Sequence, residues 1–149
     1  MASLFHEMAN LMELHGENEF KTRTYSNAYL NIRKLDIPLE DKSLQELKSM
    51  VGIASSIADK IIEIHSKNTF EALETFREKT PVGIREILNI KGLGPKKVKQ
   101  LWHELNIESP GELQYACQEN RLIQLKGFGL KIQADILISL LYYQSNKHL

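Results

Sequence analysis

Apolar residues recur at helical spacing along most of the chain. Leu4, Phe5, Met8, Leu11 and Met12 form a stripe that stops at Gly16, a residue suited to ending a helix. Phe20, Tyr25, Ala28, Tyr29, Ile32 and Leu35 predict a second helix that ends before Pro38. Ser43 and Glu46 have capping-box spacing, which predicts a short helix through Met50. Ile57, Ile61, Ile62 and Ile64 continue the apolar face after a turn, and Phe70, Leu73 and Phe76 mark another helix closed by Thr80-Pro81. Pro95 stands where a first helical residue belongs. Ser109-Pro110-Gly111-Glu112 joins an N-cap, a first-turn proline and an acid. No segment alternates as a strand, so the pattern predicts an all-α fold.

Three segments share one frame of apolar, any, Gly, apolar, small, then helix. They are Met50-Val51-Gly52-Ile53-Ala54, Ile90-Lys91-Gly92-Leu93-Gly94 and Leu125-Lys126-Gly127-Phe128-Gly129. Apolar residues return nine and ten positions after each first glycine: Ile61 and Ile62, Leu101 and Trp102, Ile136 and Leu137. The first glycines are 40 and 35 residues apart, too uneven for a solenoid and better suited to a recurring helix–turn–helix unit.

Length and composition narrow the classes. The 149 residues suffice for one domain or two small ones, and 42% hydrophobic with 26% charged residues is the balance of a globular chain. One cysteine, Cys117, has no disulfide partner, and no His or Cys spacing suits zinc. There is no secretory leader pattern and no run of 18 apolar residues, so a reduced cytoplasmic setting without a membrane is expected. Net charge is zero, which argues against indiscriminate coating of polyanions. The charge is nonetheless uneven. Residues 1–80 carry 10 basic and 13 acidic side chains, and residues 81–149 carry 9 and 6. Lys91, Lys96, Lys97 and Lys99 form the densest basic cluster, with no acid from residue 87 to 103.

The repeat has a chemical meaning. The middle apolar residue of each turn plugs the hairpin into the core. The glycines leave backbone N–H groups bare at the start of the next helix, where they and the positive helix end suit a phosphate oxygen. Turn carbonyls can hold a hard cation beside it. Such contacts read backbone rather than bases. Lys96, Lys97 and Lys131 follow two of the turns, whereas Ala54, Ser55 and Ser56 in the first predict a weaker grip. An alternative reading of the same turns is a helical protein–protein interaction module with no nucleic-acid role.

The hairpins are similar to helix-hairpin-helix motifs. In the order "ENEFKTRTYSNAY", "SMVGIASSIADKI", "LNIKGLGPKKVKQLW" and "LKGFGLKIQADIL", the chain resembles the N-terminal region of bacterial family X DNA polymerases. These are relatives of DNA polymerase beta, often fused to a PHP phosphoesterase domain. The resemblance implies two helical subdomains of the polymerase-beta N-terminal, SAM-like kind. Residues 1–79 would be a lyase-like domain that takes the 5′-phosphate side of a DNA gap, and residues 80–149 a duplex-binding tandem of hairpins. It implies a place in base excision repair, with gapped or nicked DNA at the nucleoid as partner. Gly92, Gly94, Lys96 and Lys97 would contact one strand, and Gly127, Gly129 and Lys131 the other. A sodium or potassium ion would sit on the carbonyls of Leu88, Ile90 and Leu93, and a second on those of Ile123, Leu125 and Phe128.

At the first hairpin the resemblance matches Lys60 to the family's Schiff-base lysine, and Lys21 and Tyr25 to its phosphate- and sugar-contacting positions, beside Gly52. An amine wedged among Ile57, Ile61 and Ile64 has the desolvated setting such a nucleophile needs. Ser56 and Ser26 stand where the family carries basic residues, which weakens the expected anion pocket. Nucleotide addition is excluded for these residues alone. Two-metal phosphoryl transfer needs a carboxylate cluster, and there is no Asp-x-Asp. The chain then reads either as part of a longer polymerase or as a free-standing DNA-binding protein. Ala134 to Tyr143 is apolar around almost its whole circumference. That leaves it either facing a palm or PHP domain or closing over both subdomains.

Overall fold

The computed structural model describes residues 1–35 and 37–147. They fall into two compact units, Met1–Lys79 and Thr80–Leu149. The described residues form helices and turns with no strand, as the periodicity predicts.

The first unit holds α1 (Ala2–Leu14), α2 (Glu19–Arg33), α3 (Leu44–Ser49), α4 (Ser55–Lys67) and α5 (Glu71–Glu78). Helix α1 ends as Gly16 foretold. Gly16 takes φ 73°, its amide donates to the Glu13 carbonyl, and the Glu17 amide donates to that of Met12, a Schellman closure. The short loop folds α2 back onto α1, and α5 packs on α1 as well. Phe5 and Phe70 are fully buried with ring centroids 5.4 Å apart, joined by Leu11, Leu14, Leu47, Ile57, Ile61 and Leu73. Each such side chain contributes roughly 1.5–3 kcal/mol of burial. Arg77 fastens α5 to α1 through two hydrogen bonds to the Glu7 carboxylate, both 2.7–2.8 Å. Those bonds hold the guanidinium charged even more firmly than usual.

The second unit holds α6 (Val82–Ile87), α7 (Pro95–Leu105), α8 (Pro110–Gln118), one 3-10 turn (Leu122–Gln124) and α9 (Leu130–Asn146). Ile84, Ile87, Val98, Leu101, Leu113, Leu122 and Leu140 are fully buried at its centre. Ser109 caps α8 by accepting the Glu112 amide, and Pro110 opens it, as read from the sequence. Gly83 allows α6 to run against the next segment, since a methyl group there would strike the Glu108 carbonyl.

Some boundaries shift. Helix α2 stops at Arg33, short of Leu35, and Phe70 is the residue before α5 rather than part of it. Helices α4 and α7 end on left-handed asparagines, Asn68 (φ 61°) and Asn106 (φ 55°), a role asparagine shares with glycine. The apolar excess of the last helix is real: Ile138, Leu141 and Tyr142 are 66%, 46% and 72% exposed.

Candidate nucleic-acid interface

The three glycine corners are one structure built three times. In each, the first apolar residue accepts a hydrogen bond from the plug residue three positions on: Ile53 to Met50 (3.4 Å), Leu93 to Ile90 (3.1 Å) and Phe128 to Leu125 (3.1 Å). Gly52, Gly92 and Gly127 lie between at φ 91°, 90° and 86°. Positive φ at the third turn position alone is the type II pattern, and it explains why glycine stands there. The plugs Ile53, Leu93 and Phe128 are buried, so each corner is pinned to its core. Val51, Lys91 and Lys126 occupy the second turn position, all exposed; the first corner has an apolar tip where the other two carry a cation.

What faces outward differs between corners. A methyl group built on Gly92, Gly94, Gly127 or Gly129 would meet no atom of the described residues within 4 Å. On Gly52 it would touch Asn31 at 3.6 Å, and the Asn31 side-chain amide donates to the Gly52 carbonyl (3.0 Å). The first corner is therefore partly occupied by its own protein, unlike the second and third.

Helix starts do not separate the corners. Asn18, Ser43 and Ser109 cap α2, α3 and α8 with their side chains. Helices α7 and α9 start at Gly94 and Gly129 without a side-chain cap, and α4 starts at Ala54 likewise. The first helical bonds come from the Val98 amide to Gly94 and the Gln133 amide to Gly129. The amides of Lys96 and Lys97, and of Leu130, Lys131 and Ile132, thus precede any intrahelical partner. Lys96 and Lys131 share one register, the second helical position, and both are exposed. Uncapped amides, a helix start and a lysine converge on open glycine surface at two corners. Such an arrangement can hold an anion.

Sequence reasoning missed the residue that joins these corners. Gln100, on α7, donates its side-chain amide to the Lys126 carbonyl in the third turn (3.1 Å). It occupies the repeat position that holds Lys60 in the first copy and Asp135 in the third, which marked it as variable but not as a tie. Asn31 had no sequence signal at all.

In the first unit, Lys60 and Tyr25 come together. The ammonium lies 5.8 Å from the centroid of the Tyr25 ring, on the edge of cation–π reach. Tyr25 is half-buried, its ring parallel to that of Phe70 at 6.2 Å, so the aromatic core fixes the surface on which Lys60 rests. Among the described residues no carboxylate pairs with Lys60. Lys21 is exposed one turn earlier on α2, its own amide held by Asn18 (3.4 Å).

The expected cation donors fall in matching register. Leu88, Ile90 and Leu93 stand at the same sequence offsets from Gly92 as Ile123, Leu125 and Phe128 from Gly127. The Ile90 and Leu125 carbonyls each accept one turn hydrogen bond and keep a second lone pair. Neutral, hard carbonyl oxygens fit a hard monovalent ion. Among the described residues no cluster of three or more His, Cys, Asp or Glu could hold a metal.

Two like corners, each plugged by one apolar residue and opening into an uncapped helix, define a helix-hairpin-helix protein. Family matches agree: a helix-hairpin-helix domain matches residues 1–70 and a SAM-like helix-hairpin-helix tandem matches residues 84–140. Within them it is related to the family X DNA polymerases. It is 31% identical over 140 residues to DNA polymerase/3′-5′ exonuclease PolX of Bacillus subtilis (strain 168), across 92% of this chain. The chain spans about a quarter, 24%, of that protein's length. No helix among the described residues is long and apolar enough to cross a membrane.

Proposed function

We propose that this chain binds DNA by its sugar-phosphate backbone, without reading base sequence, as a DNA-holding part of a family X polymerase. The observation that carries this reading is the open surface over Gly92, Gly94, Gly127 and Gly129, backed by uncapped amides and lysines. The helix-hairpin-helix matches and the PolX relative support it. The second and third corners grip phosphates of a duplex, with Lys96, Lys97 and Lys131 adding charge. A sodium or potassium ion, held by the carbonyls named above, would bring positive charge beside the phosphate.

The first unit takes the 5′-phosphate end at a gap or nick, through Lys21, Tyr25 and the Gly52 corner. Lys60 has the chemistry of a 5′-deoxyribose phosphate lyase. Its neutral amine adds to the sugar aldehyde and expels water to form a Schiff base. Loss of a C2′ proton then breaks the C3′–oxygen bond and releases the 5′-phosphorylated strand, and water frees the lysine. The Lys60–Tyr25 contact supports this assignment.

Electrophoretic titration with a gapped duplex at two salt concentrations tests the binding. Affinity should fall as salt rises, and Lys96→Glu/Lys97→Glu should abolish it or flatten the salt slope by roughly two. Salt-insensitive absence of binding would favour a protein–protein module instead. Borohydride should trap a covalent adduct on DNA with an incised abasic site. An adduct that persists in Lys60→Ala would remove that lysine from the chemistry.

A further inference from the structure

The geometry points to a pocket for one unpaired nucleobase between the Gly92 corner and α9, an inference that rests on the DNA-binding reading. A groove of about 560 Å³ is lined by Tyr142, Tyr143, Asn89, Asn146, Lys91 and Lys147, together with Ile138 and Ser139. That volume lies within the roughly 300–1,000 Å³ of small-molecule sites. A second groove, lined by Gly92 and Lys97 of the corner, shares Lys91, Ile138 and Ser139 with it. The two therefore adjoin along these three residues. A nucleotide whose phosphate rests on the Gly92 corner has a path by which its base enters the tyrosine groove.

The lining chemistry selects this occupant. Tyr142 is 72% exposed, an unusual cost for an aromatic ring in water and a ready stacking face. Asn89 and Asn146 offer amides that pair with base edges, as Asn does in reading adenine. Among the described residues no carboxylate lines the tyrosine groove, and Lys91 stands at the join to the corner. Lys147 is engaged with Glu86 (3.2 Å), and among the described residues Asp135 is the one acid in the inner stretch, outnumbered there by Lys91 and Lys97. A protein surface would need only the apolar face of α9; the two asparagines and the closeness to the corner are features a nucleotide uses.

The test compares three duplexes of equal phosphate count: blunt, carrying one unpaired 2-aminopurine, and carrying an abasic residue at that position. The whole chain should bind the aminopurine probe about tenfold more tightly than the abasic one and change its fluorescence. Tyr142→Ala should bring that ratio to about one, whereas Tyr142→Phe should keep it. Equal affinity for the two probes, or an Ala variant that retains the full ratio, overturns the pocket, and a groove that serves a protein partner gives that result. Lys96→Glu/Lys97→Glu separates the two claims: it should weaken all three probes. Absence of binding to every probe would remove the DNA reading itself rather than the pocket alone.

Discussion

Replacing Gly94 by alanine separates folding from binding. Gly94 sits at φ −92° and ψ 176°, extended backbone that any L-residue adopts. The added methyl meets no atom of the described residues within 4 Å. The free protein therefore loses only the preference of a helix start for glycine over alanine, about 0.5–1 kcal/mol. For a unit of this size that lowers Tm by about 2–8 °C. In the complex the methyl stands on the surface where a phosphate must approach the amides of Gly94, Lys96 and Lys97. Hydrogen bonds to a charged group are worth about 1.5–3 kcal/mol, so losing one weakens binding by about 10- to 150-fold. Gly129→Ala, at φ −108° and ψ −179° with the same open space, should do likewise at the third corner. Fluorescence anisotropy with a gapped duplex at fixed salt reads the affinity, and circular dichroism melting reads the fold. Alanine variants that melt and bind like the parent would show that no phosphate approaches these corners. The first corner already has alanine at this position, so Ala54→Gly should raise affinity slightly at most, because Asn31 still covers Gly52.

Gly83→Ala should lower Tm by about 10 °C in a thermal melt, since its methyl would strike the Glu108 carbonyl and come within 2.9 Å of Ser109 Cα. Overpacking of about 1–3 kcal/mol outweighs the roughly 1 kcal/mol gained in helix propensity; an unchanged melt would show that the segment yields freely. Gln100→Ala removes the tie to the Lys126 carbonyl and should cost about 1 kcal/mol by urea titration while weakening duplex binding several-fold. Equal affinity would mean the corners hold their spacing without it. Burial pushes the Cys117 thiol up to about 11 from 9.0. A raised folded value means the contribution is full below pH 9 and is lost as pH rises toward 11. Urea titrations across that window should show this decline in the parent and less of it in Cys117→Ala.

The parts legible in the sequence were those settled by local chemistry. Gly16, the Ser43–Glu46 box, Pro95 and Ser109 act within one turn of their own position, and each closes or opens a helix as its residue type dictates. The corners were legible for the same reason, because a positive φ leaves glycine as the natural choice at Gly92 and Gly127. Contacts between distant residues were not. Asn31 reaches Gly52 across 21 positions and Gln100 reaches Lys126 across 26, and amide side chains on a helix give no sign of the carbonyl they will meet. The meeting of Lys60 and Tyr25 was reached through family resemblance, since periodicity alone places neither against the other. The exposed side of α9 was foreseeable as an excess of apolar residues, but the groove beside it depends on how Asn89 and Lys91 are placed.

Amide chemical shifts offer the most direct test of the central claim, that bare backbone N–H groups at the second and third corners hold phosphate. The isotope-labelled chain would be titrated with a short gapped duplex of arbitrary sequence and again with one of different sequence. The largest shifts should fall on the amides of Gly94, Lys96, Lys97, Lys131 and Ile132, be the same for both duplexes, and fade as salt is added. Shifts that leave these amides unmoved while the DNA is bound elsewhere would contradict the account.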